Sequence, residues 1–409
     1  MPQPQNPVFA GRRAIKYHFC RVRKRILILL SRVPYPLEKG DKLRAFYQIR
    51  ELARYHDLYL CALSDQPVHP EAREMLQPFV REFRVFPFGK TQIALRLIRN
   101  FFSRKPFQVA YFFSPKAQKK VNEYINEVKP DHLYCQLIRT AEYVKDLEID
   151  KTIDYQDVFS KGLQRRLKIA PWYMKPIFAT EYRRVCRYER EVFDAFNKKT
   201  IISLPDRDLI PHPEKVSIHV IPNGVDTGFF HPMKMEKDYE MIFSGNMGYP
   251  PNINGAEYLV KEIMPLVWQQ QPRARVVIAG ANPAPAVRAL ASDKVTITGW
   301  VDDIRPWYAR AKVFIAPMQI GTGLQNKVLE AMAMQLPVIT SPLANQALQA
   351  KPGTELLIGN NPSDYAQHIL SLLSNRAYSN ELSINGFNFV MEHFQWSSIC
   401  QRLEKIITA

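Results

Sequence analysis

Residues 321–340, GTGLQNKVLEAMAMQLPVIT, combine a glycine-rich loop, a helix and a strand. Gly321 and Gly323 leave the backbone bare just before the predicted helix, and Leu-Pro separates that helix from the apolar strand at 337–340. The free N–H groups and partial positive charge at a helix N-terminus favour an anion, most often a phosphate. Lys327 lies one turn into the helix and can reach the same anion as a point charge. The stretch therefore predicts one α/β unit that binds a diphosphate.

Glu330 follows Lys327 by three residues, so the two side chains lie on neighbouring parts of one helix face. A carboxylate in that place can accept two hydrogen bonds from a vicinal diol such as ribose. The simpler interpretation is a helix salt bridge worth ~0.2–0.5 kcal/mol. The glycines argue against it, because they cost helix propensity that a purely structural helix would keep. We therefore expect Lys327 and Glu330 to bind different groups of one ligand.

Short apolar runs rich in β-branched residues alternate with helical patterns along the chain, which is typical of parallel sheets with crossover helices. Strands are predicted at 25–31, 57–64, 83–88, 131–136, 151–157 and 199–205 in the first half, and at 218–223, 240–246, 275–281, 294–300, 313–318, 337–342 and 356–360 in the second. The length of 409 residues allows two domains. The predicted fold is α/β, with two Rossmann-like, doubly wound domains that bind ligands between the carboxyl ends of their strands.

Composition sets the predicted domain boundaries. Residues 1–24 are proline-rich and then basic, and we expect an extension without chemistry of its own. Three prolines within 205–214 mark the best linker candidate, which predicts a first domain over 25–212 and a second over 213–394. The last segment, 395–409, has the pattern of one more amphipathic helix that can pack on either domain.

The excess positive charge of the chain lies entirely in its first half. Residues 1–210 hold 40 Lys and Arg against 23 Asp and Glu, whereas residues 211–409 hold 16 of each. This asymmetry indicates that one domain faces a polyanion or an anionic membrane, although solubility alone would also explain it. Residues 91–106 form a predicted cationic amphipathic helix, which either lies in a membrane interface or packs on the sheet. Its apolar side comprises Ile93, Leu97, Ile98, Phe101 and Phe102.

Cysteine usage and hydropathy exclude several protein classes. The five cysteines, Cys20, Cys61, Cys135, Cys186 and Cys400, are far apart and have no spacing that suggests zinc or a disulfide framework. No apolar run approaches the roughly 20 residues that span a bilayer, and no signal peptide is evident. We expect a cytoplasmic protein in a reducing compartment, with peripheral contact at the inner face of the cytoplasmic membrane.

Four stretches of the second half resemble a known family in their order and spacing. They are IPNGVDTGFF (221–230), FSGNMGYPPN (243–252), ITGWVDDIRPWYARAKVFIAPM (297–318) and the stretch at 321–340. Together with residues 25–63, they resemble the family-4 glycosyltransferases of the GT-B fold, and most closely the bacterial sugar transferases of exopolysaccharide and exosortase loci. The resemblance implies two domains that face a central cleft, with the donor held mainly by the second and the acceptor by the first. It also implies that 395–409 packs back on the first domain.

The same resemblance implies a retaining glycosyltransferase that moves a sugar from a nucleotide-diphosphate sugar to a lipid-linked or saccharide acceptor, without metal or cofactor. Lys327 and Glu330 would be the catalytic residues: Glu330 would hold the donor ribose, while Lys327 and the helix N-terminus stabilise the leaving diphosphate. The other implied donor-binding residues are Gly40, Gly245, Asn246, Trp300, Val301, Gly321, Thr322, Gly323, Leu324, Gln325 and Asn326. On the acceptor side we expect Asp41, Arg44, Arg139, Asp154 and Asp157.

Several positions depart from the family pattern. The first acid of its paired-glutamate motif falls eight residues before Glu330, where this chain has Thr322, so the identity of the sugar is in doubt. The basic residue usual after the Ser-Gly-Asn strand is replaced by Asn252 and Asn254, and we expect Lys327 to supply that charge.

A further departure follows the fifth strand. Many relatives carry a histidine there, but this chain has Asp154 and Asp157, which either contact the acceptor or cap the loop.

Three other functions fit the sequence less well. Asp206-Arg207-Asp208 matches a metal-binding motif of the other large glycosyltransferase fold, but it lies in the predicted linker, where aspartates commonly cap turns. A nucleotide-sugar epimerase would need a histidine in the cleft, and the motif region supplies none. A nucleic-acid-binding protein would suit the basic half, yet stacking aromatics are not interleaved with its charges. We therefore expect neither metal nor nucleic acid as a ligand.

Overall fold

A computed structural model describes residues 22–321 and 323–409 of the chain. Most of the predicted N-terminal extension (1–24) and the predicted donor contact Thr322 therefore lie outside the described residues.

Two separate parallel sheets organise the molecule. The first has the strand order β3-β2-β1-β4-β5-β6-β7 and the second the order β10-β9-β8-β11-β12-β13. The strands of the first sheet are β1 (Arg25–Leu30), β2 (Asp57–Ser64), β3 (Glu82–Pro87), β4 (His132–Gln136), β5 (Lys151–Asp154), β6 (Lys198–Ile201) and β7 (His219–Val220). Those of the second are β8 (Tyr239–Ser244), β9 (Val276–Ala279), β10 (Val295–Ile297), β11 (Ala311–Ala316), β12 (Val338–Thr340) and β13 (Leu357–Ile358). The predicted pair of doubly wound α/β domains is confirmed.

Helices cover both faces of each sheet, which explains why the strands are almost uniformly apolar. Those around the first sheet are α1 (Gly40–Leu52), α2 (Ala72–Leu76), α3 (Lys90–Asn100), α4 (Phe107–Phe112), α5 (Pro115–Val128), α6 (Ile138–Ala141), α7 (Phe159–Ile169), α8 (Lys175–Ala195) and α9 (Leu204–Leu209). Those of the second half are α10 (Pro250–Tyr258), α11 (Met264–Gln270), α12 (Pro285–Arg288), α13 (Arg305–Ala309), α14 (Asn326–Ala333), α15 (Pro342–Leu348), α16 (Pro362–Ser374), α17 (Arg376–His393) and α18 (Trp396–Thr408). A 3-10 turn (Lys215–Ser217) and a π-helical turn (Leu259–Ile263) complete the set.

Both sheets have a topological switch point, where the strand order reverses. In the first sheet it lies between β1 and β4, and in the second between β8 and β11. In open α/β sheets, ligands bind outside the carboxyl ends of the strands at such points. The fold thus marks two binding regions, one in each domain.

The predicted boundary at residue 212 is wrong. The strand at 218–223, which the sequence places in the second domain, is β7, and it pairs in parallel with β6 at the edge of the first sheet. The proline-rich segment 205–214 is likewise no linker, since it holds α9 and leads into the 3-10 turn. Proline fits the first turn of a helix, because its fixed φ is helical and the backbone N–H groups of that turn have no helical partner in any case. Pro205 therefore lies in the first turn of α9 without breaking the helix.

The chain crosses between the domains twice, and the two crossings lie side by side. Val225 donates its backbone N–H to the carbonyl of Phe394 at 2.8 Å. After the second crossing, α18 packs on α1, and its Ile399, Leu403 and Ile407 join the buried core formed by β1. The last helix therefore belongs to the first domain.

A fully buried ion pair ties α1 to the sheet. The Arg44 guanidinium donates to Asp154 at 2.7 and 3.0 Å, and both side chains are inaccessible to solvent. Arg44 also donates to Asn223 Oδ1 at 3.0 Å, and Thr200 donates to Asp154 at 2.9 Å. The prediction that Arg44 and Asp154 contact the acceptor is therefore wrong, because the two side chains pair with each other inside the core.

Replacing Arg44 should destabilise the first domain strongly. Arg44→Met keeps much of the volume but leaves Asp154 as a buried carboxylate without its cation, at an expected cost of about 3–5 kcal/mol in the free energy of unfolding. Urea unfolding followed by circular dichroism measures this loss. The matched control is Arg54→Met, since the Arg54 side chain is 59% exposed and its pair with Glu51 contributes ~0–1 kcal/mol. Equal unfolding midpoints for the two variants would contradict the assignment.

Candidate active site in the interdomain cleft

The switch point of the second sheet presents bare backbone. A Cβ atom built on Gly280, which follows β9, would lie 1.9 Å from the carbonyl oxygen of Gly245, which follows β8. Only glycine allows this contact between neighbouring strand ends. The predicted donor residue Asn246 continues the loop, and its side-chain oxygen accepts the N–H of Gly248 at 3.0 Å. The two strand ends are thus in direct backbone contact, and the side chains next to Gly245 are those of Asn252 and Lys327.

Lys327 spans the switch point from α14 to the end of β8. Its ammonium donates to Asn252 Oδ1 and would lie 3.3 Å from a Cβ atom on Gly245. Asn252 in turn donates to the carbonyl of Asn246 at 2.9 Å. The Asn252 amide thus holds the Lys327 ammonium at the end of β8. That Lys327 supplies the charge of the basic residue usual in the family stays a prediction. Burial lowers the pKa of Lys327 to about 7.

Glu330 is held by a partner that the sequence did not reveal. Tyr308 donates its hydroxyl to Glu330 at 2.9 Å, and the same hydroxyl lies 2.7 Å from Ser244 Oγ. Burial raises the pKa of Glu330, while the Tyr308 hydrogen bond and the Lys327 charge lower it. Lys327 and Glu330 thus have separate partners, as expected for side chains with separate tasks. Tyr308 lies within the motif at 297–318, but only the fold shows that its hydroxyl reaches Glu330.

The first domain faces α14 directly. Leu43 and Tyr47 of α1 line one narrow cavity together with Asn326 and Glu330. Asn223, at the first crossing, donates to Asn326 at 3.3 Å. The predicted residue Gly40 begins α1, and a Cβ atom there would meet nothing within 4 Å. The N-terminus of α1 therefore borders open space on the same side as α14.

The loop before α14 reaches the first domain as well. Gly323 has a φ of +86°, which favours glycine, and a Cβ atom there would lie 3.5 Å from Asp206 Oδ2. Ser203 donates its hydroxyl to Asp206, and burial raises the pKa of Asp206 to about 6. Gln325 donates to the carbonyl of Gly323 at 3.3 Å, and Leu324 packs on the hydrophobic core around the second sheet. Asp206 was missed as a cleft residue because its segment resembled a linker.

Trp300 and Val301 follow β10 at the edge of the second sheet. The Trp300 side chain is 67% exposed, and its indole N–H donates to Asp302 at 3.2 Å. The nearby Gly299 accepts the N–H of Gly280 at 3.2 Å, which connects this edge to the switch point. Contact with a base stays a prediction for both residues.

A second and larger cavity, of about 620 Å³, lies at the switch point of the first sheet. Arg32, which follows β1, Arg139, which follows β4, and Asp157, which follows β5, line it. The Arg139 guanidinium lies 5.1 Å from the ring centre of Phe112 and 4.9 Å from that of Phe159. Two of the predicted acceptor-side residues, Arg139 and Asp157, therefore meet here.

Asp41 lies at the margin of the same region. Its carboxylate accepts from Arg32 at 2.8 Å, so that Arg32 reaches the cavity already paired. Asp41 thus lies near the cavity, where its carboxylate is paired with Arg32.

Residues 22–321 and 323–409 contain neither a cluster of metal ligands nor a membrane-spanning helix. Within these ranges no three His, Cys, Asp or Glu side chains are placed to share a metal ion. No helix there combines the length and hydropathy needed to cross a bilayer. The described cysteines, Cys61, Cys135, Cys186 and Cys400, are free thiols.

Comparison with known proteins places these sites in context. Residues 238–375 match the family model described as glycosyl transferases group 1. Over 404 residues the chain is 22% identical to an uncharacterized 44.6 kDa protein in the cps region of Klebsiella pneumoniae, with 93% of this chain and 99% of that protein covered.

Solved structures resemble the whole described fold. Sucrose-phosphate synthase from Thermosynechococcus elongatus aligns with a TM-score of 0.66 at 15% identity, covering 94% of this chain and 98% of that one. Anabaena HepE in complex with UDP aligns with a TM-score of 0.66 at 12% identity, covering 94% of this chain and 99% of that one. The two sheets form the GT-B fold that these solved structures share, and the second of them lies within the segment that matches the model of glycosyl transferases group 1.

Proposed function

We propose that the protein is a retaining, metal-independent glycosyltransferase that moves a sugar from a nucleotide-diphosphate sugar to a lipid-linked or saccharide acceptor. The observation that carries this proposal is the arrangement on α14: the Lys327 ammonium lies at the bare end of β8, and the Glu330 carboxylate lies one turn further along, held by Tyr308. A diphosphate and the ribose attached to it need this order of cation and carboxylate.

The relatives support the donor class and the pathway. HepE, which has the same fold, was solved with UDP, and the Klebsiella relative lies in a cps region. We propose synthesis of a cell-surface polysaccharide at the cytoplasmic face of the membrane, with the basic first domain in peripheral contact with anionic lipid. The association with exosortase loci stays a prediction.

The residues suggest a mechanism by leaving-group stabilisation. Lys327 and the N-terminus of α14 would meet the negative charge that develops on the departing diphosphate, and such fixed charges dominate many enzymatic accelerations. In a front-face displacement the leaving phosphate takes the acceptor proton, so no further base is assigned. Glu330 would hold the ribose and so fix the scissile bond beside Lys327.

Donor binding should depend on Glu330 and Lys327. Glu330→Ala and Lys327→Ala each remove a charge-assisted interaction, which predicts a loss of about 1.5–3 kcal/mol, or roughly 10–100-fold in Kd. A thermal-shift panel of UDP, GDP, ADP and TDP sugars identifies the donor, and calorimetry then measures its Kd for each variant.

The matched control for these variants is Lys261→Ala. Lys261 belongs to the same domain, and its side chain is 56% exposed and paired with Glu257. Its removal should leave the Kd unchanged. If the two α14 variants bound donor as the wild type does, the site assignment would be wrong.

Donor affinity should fall as pH rises through neutrality. Burial lowers the pKa of Lys327 to about 7, so its ammonium form predominates below that pH and is lost above it. The diphosphate of a nucleotide sugar favours the ammonium, so Kd should rise by up to about tenfold per pH unit above pH 7 until the pKa of the complex is reached. Titrations between pH 6 and pH 9 measure this slope, and Lys327→Ala should flatten it. A slope that persists in this variant would assign the proton to another group.

Catalysis should not require a divalent metal. Turnover of the identified donor in the presence of EDTA should equal that of the untreated enzyme. Activity that vanished with EDTA and returned with manganese would overturn this part of the proposal.

A further inference from the structure

Arg139 carries a charge that no described carboxylate pairs with directly, although Asp41, Asp157 and Asp65 are close enough to raise its pKa. Among the described residues no ion pair joins its guanidinium to a carboxylate, and its hydrogen bonds to Gln108 are long, at 3.4 and 3.5 Å. Burial lowers the pKa of Arg139 to about 10, which leaves the guanidinium charged at neutral pH. Phe112 and Phe159 hold it at the cavity wall. A desolvated cation of this kind is an anchor for an anionic group.

The carboxylates that line the same cavity are each engaged with the protein. Asp65 accepts from the Tyr111 hydroxyl at 2.7 Å, Glu181 from the backbone N–H of Phe107 at 2.7 Å, and Asp157 from that of Val158 at 2.8 Å. Arg166 adds a further, exposed cation at the wall. Each of these carboxylates keeps its charge but accepts at least one short hydrogen bond from the protein, whereas the Arg139 guanidinium has only its long hydrogen bonds to Gln108.

Exposed apolar side chains lie on three of the segments that line this cavity. In each segment, an exposed apolar residue lies one helical turn from a residue that lines the cavity. The exposed residues are Phe101 just after α3, Ile169 on α7 and Ile177 on α8, and their lining neighbours are Leu97, Arg166 and Glu181 respectively. Phe102 and Trp172 extend this rim and are 90% and 82% exposed. We call residues 95–102 and 169–177 the apolar rim. Large exposed aromatic side chains grouped together mark a site of interaction.

The charges around the apolar rim have one sign. Residues 90–106 contain five Lys and Arg, residues 159–177 contain five more, and neither segment contains Asp or Glu. Aromatic side chains interleaved with cations suit the interface of an anionic bilayer, where rings enter the acyl boundary and cations meet headgroups. The predicted membrane helix at 91–106 supplies one part of this surface. The other part, the segment at 169–177, was not predicted from the sequence.

The cavity also adjoins the donor site. The Asp157 carboxylate acts electrostatically on Asp206, which lies against Gly323 of the donor loop. Asp157 of the cavity is therefore electrostatically coupled to the side of the cleft that faces the donor loop, as expected for an acceptor site.

We infer that the acceptor is a phosphate-bearing lipid, with its phosphate bound to Arg139 in the cavity and its apolar chain running over the apolar rim into an anionic bilayer. The inference rests on the proposed function and selects the lipid-linked acceptor over a free saccharide. It assigns Arg139 as the anion anchor and the rim, including Phe102 and Trp172, as the membrane contact.

Three small probes separate the parts of this acceptor. Octyl phosphate carries both the anion and the chain, inorganic phosphate only the anion, and octyl glucoside a sugar and the chain. Calorimetry on the full-length protein should give the lowest Kd for octyl phosphate, and Arg139→Gln should raise that Kd about tenfold or more. Arg139→Lys keeps the charge and should recover part of the affinity. Arg54→Gln, whose side chain is 59% exposed and does not line the cavity, should stay within twofold of the wild type. Equal binding by wild type and Arg139→Gln, or tighter binding of octyl glucoside, would overturn the inference.

Vesicle sedimentation tests the rim separately. Wild-type protein should pellet with vesicles of phosphatidylcholine and phosphatidylglycerol but not with phosphatidylcholine alone, and Phe102→Ser with Trp172→Ser should reduce pelleting at least fivefold. Arg139→Gln should pellet as the wild type does. Wild-type protein that pelleted with neither vesicle would refute membrane docking. The nucleotide-sugar thermal shift distinguishes the two levels: a donor response without octyl phosphate binding rejects only this inference, whereas no donor response rejects the proposed function.

Discussion

The buried pair of Arg44 and Asp154 fixes the geometry on which the cleft depends. A carboxylate and a guanidinium that are both removed from water tolerate little movement, since any separation leaves two desolvated charges. Arg44 extends this constraint to Asn223 at the interdomain crossing, and Asn223 extends it to Asn326 at the start of α14. A continuous set of hydrogen bonds therefore runs from the core of the first domain to the helix that carries the candidate donor site.

That helix combines two electrostatic environments within one turn. Lys327 lies beside uncharged Asn252 and the backbone of Gly245, so the Glu330 charge offsets its burial only in part and the pKa of its amine falls. Glu330 is supported by the Tyr308 hydroxyl, which opposes the cost of burying its carboxylate. A bound diphosphate would supply the missing counterion of Lys327, and so ligand binding and protonation are coupled at this site.

Charge is also divided between the domains in a way that fits two different ligands. The second half of the chain, residues 211–409, is neutral overall and carries the candidate donor site on α14, whereas residues 1–210 hold the whole surplus of Lys and Arg. Much of that surplus surrounds a cavity and an apolar rim rather than a continuous groove. This distribution agrees better with a compact anionic headgroup at a membrane than with a long polyanion such as nucleic acid.

The sequence by itself determined the strands, the pair of doubly wound domains and the roles expected of Lys327 and Glu330, because period, glycine placement and side-chain chemistry are local properties. It misplaced β7 and the segment at 205–214, since proline marks helix starts as readily as linkers. It offered Arg44 and Asp154 as acceptor contacts, and only tertiary structure revealed that they neutralise each other in the core. Tyr308, Asp206 and the rim segment at 169–177 were likewise decided by the fold, because contacts between residues far apart in the chain leave no periodic signal in it.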